Sequence, residues 1–432
     1  MSTQSLLIEL LVEELPPKAL KKLGNAFASE IWLKLADFGL LAKVELATSA
    51  QPEISNVGYT VYATPRRLAV WIPKVSSKAA DKQVAQKLMP VKIGLDDDGN
   101  ATAALLKRLG ALGLDESAVE NLRKEDDGKA ESLFLDVTKV GATLAEGLQQ
   151  SLDEALAKLP IPKVMTYQIN DGWESVNFVR PAHGLVALHG RDVIPVNALG
   201  LTAGNTTKGH RFEAKNLIIT LNNADTYEEQ LKTEGAVIAS YEARKADIAA
   251  QLKAVADQEG LTPVEDEDLL DEVTSLVELP NVLLGQYEVE FLEVPQECLI
   301  LTMKANQKYF PLLDAEGKLT SKFLITSNIK PADPSAVIGG NERVVRPRLA
   351  DAKFFFDQDR KKTLESRLEG LSKVVYHNKL GSQGERNARV VNIATAIAEK
   401  IGDNKLVSKV EIAAKLSKAD LTTDMVGEFP GL

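Results

Sequence analysis

Between the pair Pro16-Pro17 and Gly39, the apolar residues Leu20, Leu23, Phe27, Ile31, Leu35 and Phe38 recur at three- and four-residue steps. That period puts all six on one face of a helix, so this stretch must lay a long apolar stripe against another layer. Pro17 suits the first turn and Gly39 the end. The preceding residues 5–13 are rich in Leu and Ile without clean alternation, which suits a buried strand stopped by the proline pair. Residues 44–48, 59–63 and 68–72 read as short strands, so the chain should open as an α/β layer of one helix on antiparallel strands.

Further along, residues 104–112 and 118–122 read as helical, 132–137 as a strand, and 144–159 as an amphipathic helix closed by Pro160-Ile161-Pro162. From residue 163 short strands broken by Gly and Pro continue through Gly209-His210-Arg211-Phe212, which places a domain boundary near residue 160. Helices are expected over 227–235, 240–258, 269–277 and 295–304, with a strand at 282–287. Residues 308–313 and 323–327 should pair as strands, with Asp314-Ala315-Glu316-Gly317 forming the turn between them. No strand is expected beyond Pro334, where 385–401 and 406–418 read as helices. The expected fold class is therefore α+β and multidomain: an amino-terminal α/β domain (1–160), a mixed α+β domain (161–334) and a helical region (335–432). At its junction, in residues 339–362, Gly339-Gly340 reads as a loop hinge and Pro347 as a first helical turn. Leu349, Ala352 and Phe356 then face inward, with Arg348, Asp351, Lys353 and Arg360 on other faces.

With 51 basic and 61 acidic residues the net charge is −10, which argues against coating nucleic acid through bulk electrostatics. Any such contact must be local. The candidates are Arg66 and Arg67, Arg211 within Lys208-Gly209-His210-Arg211, and Arg346 and Arg348 with Arg343 beside them, since the guanidinium fork matches phosphate. Pairing of the last cluster with Glu342, Asp351 and Asp357 is the competing explanation. The four histidines, His183, His189, His210 and His377, are dispersed, and no metal site is expected. Cys298 reads as a small apolar filler, and Glu265-Asp266-Glu267-Asp268 as a helix start. There is no Walker or dinucleotide fingerprint. The first residues lack a basic n-region, and Glu9, Glu13 and Glu14 interrupt the early apolar run, so neither a signal peptide nor a membrane span is expected and the cytoplasm is the expected location.

Six strings, Glu13-Glu14-Leu15-Pro16-Pro17, Thr64-Pro65-Arg66-Arg67-Leu68, Phe178-Val179-Arg180-Pro181, Gly209-His210-Arg211-Phe212, Gln307-Lys308-Tyr309-Phe310-Pro311 and the segment 339–362, occur in order along the chain. Together they resemble the β subunit of the bacterial two-subunit glycyl-tRNA synthetase. The resemblance implies an α2β2 assembly in which a separate α subunit holds the class II site with its ATP and magnesium, while the β subunit binds tRNA and carries no catalytic residue or cofactor of its own. It also implies a middle region similar to the editing module of phenylalanyl-tRNA synthetase β chains and a helical region similar to HD-type phosphohydrolases. No His-Asp dipeptide is present, so the metal signature of those hydrolases does not carry over, and Asn306 stands where many relatives have histidine. Family members continue through the rest of this helical region and into an anticodon-binding domain, so the sequence is expected to be either a fragment or a shortened gene product. Two other readings remain open: a free-standing hydrolase of mischarged tRNA or a nucleotide, and an assembly scaffold.

Overall fold

The computed structural model describes residues 2–41, 58–96, 98–126, 128, 130–402 and 404–431, and the strand expected over 44–48 lies outside them. The chain forms two compact units, Met1–Tyr241 and Glu242–Leu432.

In the first unit, strand β1 (Thr3–Val12) is buried at every position from Ser5 onward. Helix α1 (Pro17–Phe38) follows, starts on Pro17, and ends at Gly39, whose φ of 74° is the left-handed geometry glycine favours. Strands β2 (Thr60–Thr64) and β3 (Arg67–Ser76) form a hairpin, and β3 pairs antiparallel with β1 in the register Ile8↔Val70. On the other side of β1 lies the strand Ala182–His189, again antiparallel, with Ile8 opposite Ala187. The sheet therefore runs, in order, Asp192–Val193, Ala182–His189, β1, β3, β2.

Both faces of this sheet are covered, which is why β1 reads as an unbroken apolar run. Leu6, Ile8 and Leu10 pack with Leu20, Leu23, Phe27 and Ile31 of α1 and with Leu148 and Leu152 of the helix Leu144–Lys158. On the opposite face Leu7, Ala69, Val186 and Leu188 pack with Tyr227 and Leu231 of the helix Tyr227–Thr233. The structure thus groups the chain differently from the three-part division read in the sequence: the strand Ala182–His189 completes the first sheet, and residue 160 lies inside one core. A satellite core sits under a second sheet of Lys82–Pro90, Glu131–Lys139 and Leu122–Asp126. There the helix expected over 118–122 is a 3₁₀ turn, Glu116–Asn121, leading into a strand.

The second unit repeats the two-faced plan. Its antiparallel sheet runs in the order Thr262–Pro263, Phe310–Leu313, Leu319–Ser327, Asn281–Gln286. The hairpin turn is where it was expected, with the Asp314 carboxylate accepting from the amides of Glu316 and Lys318. Ile248 and Leu252 of the helix Tyr241–Gln258 cover one face, and the other is packed by Cys298, Leu299 and the long helix Ser335–Asp359.

That long helix corrects two expectations. Pro347 lies in its middle, and Gly339 and Gly340 are helical residues rather than a hinge. Val345, Leu349 and Ala352 are fully buried at helical spacing, so packing carries the helix through a residue that cannot donate to the Arg343 carbonyl. Of the aromatic triplet, Phe356 packs on this core while Phe354 is 56% exposed. Beyond Pro334, two short strands, Val375–His377 and Gly381–Ser382, pair where none was expected. They precede the helices Gln383–Ile401 and Asn404–Leu416. No helix among the described residues is long and apolar enough to cross a membrane.

Candidate functional site

Strings far apart in sequence meet at one end of the first sheet. Where β1 ends, the Val12 amide donates to the Arg66 carbonyl (2.8 Å), the Glu13 amide to Pro181 (2.9 Å) and the Leu15 amide to Pro65 (2.7 Å). The segment before α1 is thus clamped between the β2–β3 turn and the approach to the strand Ala182–His189. Arg180 tightens the clamp, its Nε donating to the Glu14 carbonyl at 3.0 Å. Above it the Glu13 carboxylate faces two donors: His183 Nε2 at 2.9 Å and Arg211 Nη2 at 3.7 Å.

Arg211 is held by a loop of unusual closeness. A Cβ on Gly209 would lie 2.9 Å from the Gly235 Cα, so the two backbones touch only because neither residue has a side chain. The next residue, His210, is 1% exposed. Its amide donates to the Gly235 carbonyl, and its Nδ1 accepts from the amides of Phe212 and Glu213, which leaves the proton on Nε2. That buried nitrogen has no hydrogen-bond partner among the described residues. The result is a turn that pushes Arg211 (side chain 52% exposed) and Phe212 (75% exposed) outward side by side.

Arg67 goes the other way. It is fully buried, its Nε lies 3.4 Å from Glu9 Oε2 and its Nη2 donates to the Lys208 carbonyl at 2.5 Å. The hydroxyls of Thr207 and Tyr227 donate to the two oxygens of Glu9. Burial, followed by the Glu9 charge, pushes the Tyr227 phenol well above its ordinary range, so it stays a donor. Arg67, expected at a contact, is therefore the inner partner of a buried charge pair and presents nothing to an outside phosphate. Sequence reasoning missed Glu9, Thr207 and Tyr227 as a group; the one local signal was an acid, Glu9, inside an otherwise apolar strand. It also missed Glu13 and His183 as partners, although both lie in or beside the ordered strings. Arg66 is half-buried, with its Nε enclosed and without a partner among the described residues.

In the second unit Arg343, Arg346 and Arg348 are exposed on the long helix. Arg346 pairs with Glu288 at 2.6 Å, not with a neighbour in sequence. Glu342 accepts from the Gln286 amide and Asp357 binds Lys353, so two of the three acids expected to neutralise the cluster are engaged elsewhere. Arg343 and Arg348 have no ion pair among the described residues. Asp266 caps the helix Glu267–Thr274 through the Leu269 amide, as expected for the acidic run. A cavity of about 670 Å³ opens beside it. Three of its acids are already paired: Asp257 with Lys253, Asp266 with Lys304 and Glu267 with Lys245. Cys298 is 5% exposed, and burial, then Glu297, raises its thiol pKa, which suits a filler rather than a nucleophile. No group of three or more metal-binding side chains occurs among the described residues.

Comparison with known proteins adds what geometry alone does not carry. The profile of the family described as glycyl-tRNA synthetase beta subunit matches residues 6–432. The chain belongs to this family. Among curated relatives, a glycine–tRNA ligase beta subunit from Methylobacillus flagellatus is 66% identical over 428 residues, covering 99% of this chain and 60% of the relative. Its counterpart from Thiobacillus denitrificans is 64% identical over the whole chain and 60% of its own length. The chain thus spans about 60% of the length of the beta subunits it matches. The resemblance read from the ordered strings is confirmed, and four of those strings supply the clamp, Arg180 and the Arg211 loop.

Proposed function

We propose that the chain is a tRNA-facing, noncatalytic part of a glycine–tRNA ligase. In this reading it supports the ATP-dependent attachment of glycine to tRNA at an adenylate-forming site on a separate α subunit, where ATP and magnesium bind. The working assembly is α2β2 and cytoplasmic, and the helices beyond Pro334 begin an HD-like domain. The observation that carries the reading is the outward pairing of Arg211 with Phe212 on a rigid turn: a guanidinium for a phosphate beside an aromatic face for a base. Local contacts of this kind fit a chain of net charge −10, which must present its cations in small groups. Arg348, and Arg346 once released from Glu288, offer a second such group, and Arg66 stands at the edge of the first.

The test combines this chain with the α subunit and follows tRNA binding and glycylation for the parent, Arg211→Ala and Arg348→Ala. Each substitution should weaken tRNA binding and reduce the slope of log affinity against log salt by about one. Unchanged binding and charging in both variants would refute the contact assignment. Release of amino acid from mischarged tRNA by this chain alone would favour the free-standing hydrolase.

A further inference from the structure

We propose that His183 and Arg211 form an oxyanion site in which Glu13 is a displaceable occupant, and that a phosphodiester of the nucleic-acid backbone takes its place. This rests on the tRNA-facing reading above and adds the mode of capture. The two carboxylate oxygens of Glu13 engage one donor each, His183 Nε2 at 2.9 Å and Arg211 Nη2 at 3.7 Å, the arrangement in which two oxygens of a phosphate would sit. Because a carboxylate only accepts, His183 must present Nε2–H toward it. The Arg211 contact is longer than a hydrogen bond, so its donors are unsaturated on that side.

Displacement needs no movement of the main chain. The Glu13 amide is fixed to Pro181, its neighbours Val12 and Leu15 are fixed to Arg66 and Pro65, and His183 sits on a strand paired with β1. Rotation of one glutamate side chain, itself 40% exposed, opens the site. All three side chains are solvent-accessible, at 35% for His183 and 52% for Arg211, so screening keeps the internal pair weak. A phosphate gains charge-assisted bonds from both donors, and the exposed Phe212 ring offers the adjoining base a stacking face. The glutamate gives selectivity: lone anions must compete with a tethered carboxylate, whereas a polyanion held by several contacts displaces it.

The experiment compares the parent chain with Glu13→Gln, Glu13→Ala, Arg211→Ala and the double variant Glu13→Ala/Arg211→Ala, all verified as folded by thermal melting. Two probes are used, tRNA and inorganic phosphate, the latter followed through the His183 imidazole resonances. Both Glu13 single variants should bind tRNA more tightly, by roughly three- to tenfold, and the double variant should lose the gain. Inorganic phosphate should shift the His183 signals in Glu13→Ala at concentrations that leave the parent unmoved. If Arg211→Ala weakens tRNA binding but the Glu13 variants bind no better than the parent, the tRNA-facing reading survives and the displaceable glutamate is refuted. If no form binds tRNA, that reading falls, and with it the nucleic-acid occupant. The phosphate titration then decides the oxyanion site by itself: a shift in Glu13→Ala supports it, and no shift overturns it.

Discussion

Two adjacent arginines, Arg66 and Arg67, differ because Arg66 lies half-buried in the β2–β3 turn, whereas Arg67 opens β3 and points into the sheet's second core. Arg67 is tolerated there because Glu9 supplies the countercharge and the Lys208 carbonyl and Thr64 hydroxyl take its donors. Removing it would leave the buried Glu9 carboxyl without its countercharge, facing the Thr207 and Tyr227 hydroxyls. Arg67→Ala should therefore lower unfolding stability by about 3–5 kcal/mol in urea melts, whereas Arg211→Ala, at an exposed site, should stay within about 0.5 kcal/mol of the parent. A difference between the two that appeared in tRNA binding but not in stability would contradict this division of labour.

At the scale of elements, caps and turns are where local chemistry speaks most directly. The helix Glu267–Thr274 begins where the acidic run said it would, with the Asp266 carboxylate on the Leu269 amide and against Lys304. Partial burial works to raise the Asp266 pKa, but Lys304 and the capped amide outweigh it and hold it below the ordinary 3.8. A carboxyl depressed on folding stabilises above its unfolded pKa, and that contribution is lost as pH falls through the folded value. Asp266→Ala should cost about 0.5–2 kcal/mol at pH 7, a gap that narrows in acid as the parent's carboxylate is protonated; a gap independent of pH would refute the electrostatic part. The long helix Ser335–Asp359 shows the limit of local chemistry. Pro347 signals a helix start, yet Val345, one turn before Leu349, is buried in the same core, and tertiary packing overrides the signal.

For the molecule as a whole, the two units solve the same problem, an antiparallel sheet covered on both faces, with strands drawn from distant parts of the chain. β1 has β3 on one edge and the strand Ala182–His189 on the other. A fragment of residues 1–160 would expose the β1 edge and leave one face without Tyr227 and Leu231. It should be largely insoluble or unfolded by circular dichroism, while residues 1–241 should fold cooperatively. Cooperative folding of 1–160 alone would restore the boundary expected near residue 160.

What the amino-acid sequence determined by itself were the features set within a few residues: the apolar face and both ends of α1, the Asp314–Gly317 turn, the Asp266 cap, and the ordered strings that identify the family. Helical period and turn chemistry act over that range, so they are legible without a fold. Tertiary structure alone decided that the strand Ala182–His189 joins β1, that Arg67 turns inward while Arg211 and Phe212 turn outward, and that Glu13 meets His183 and Arg211. The strand pairing, the inward turn of Arg67 and the meeting at Glu13 depend on register and burial between segments more than a hundred residues apart, and the Arg211 turn on the closure of Gly209 against Gly235; the free energy that selects them appears only when the layers close.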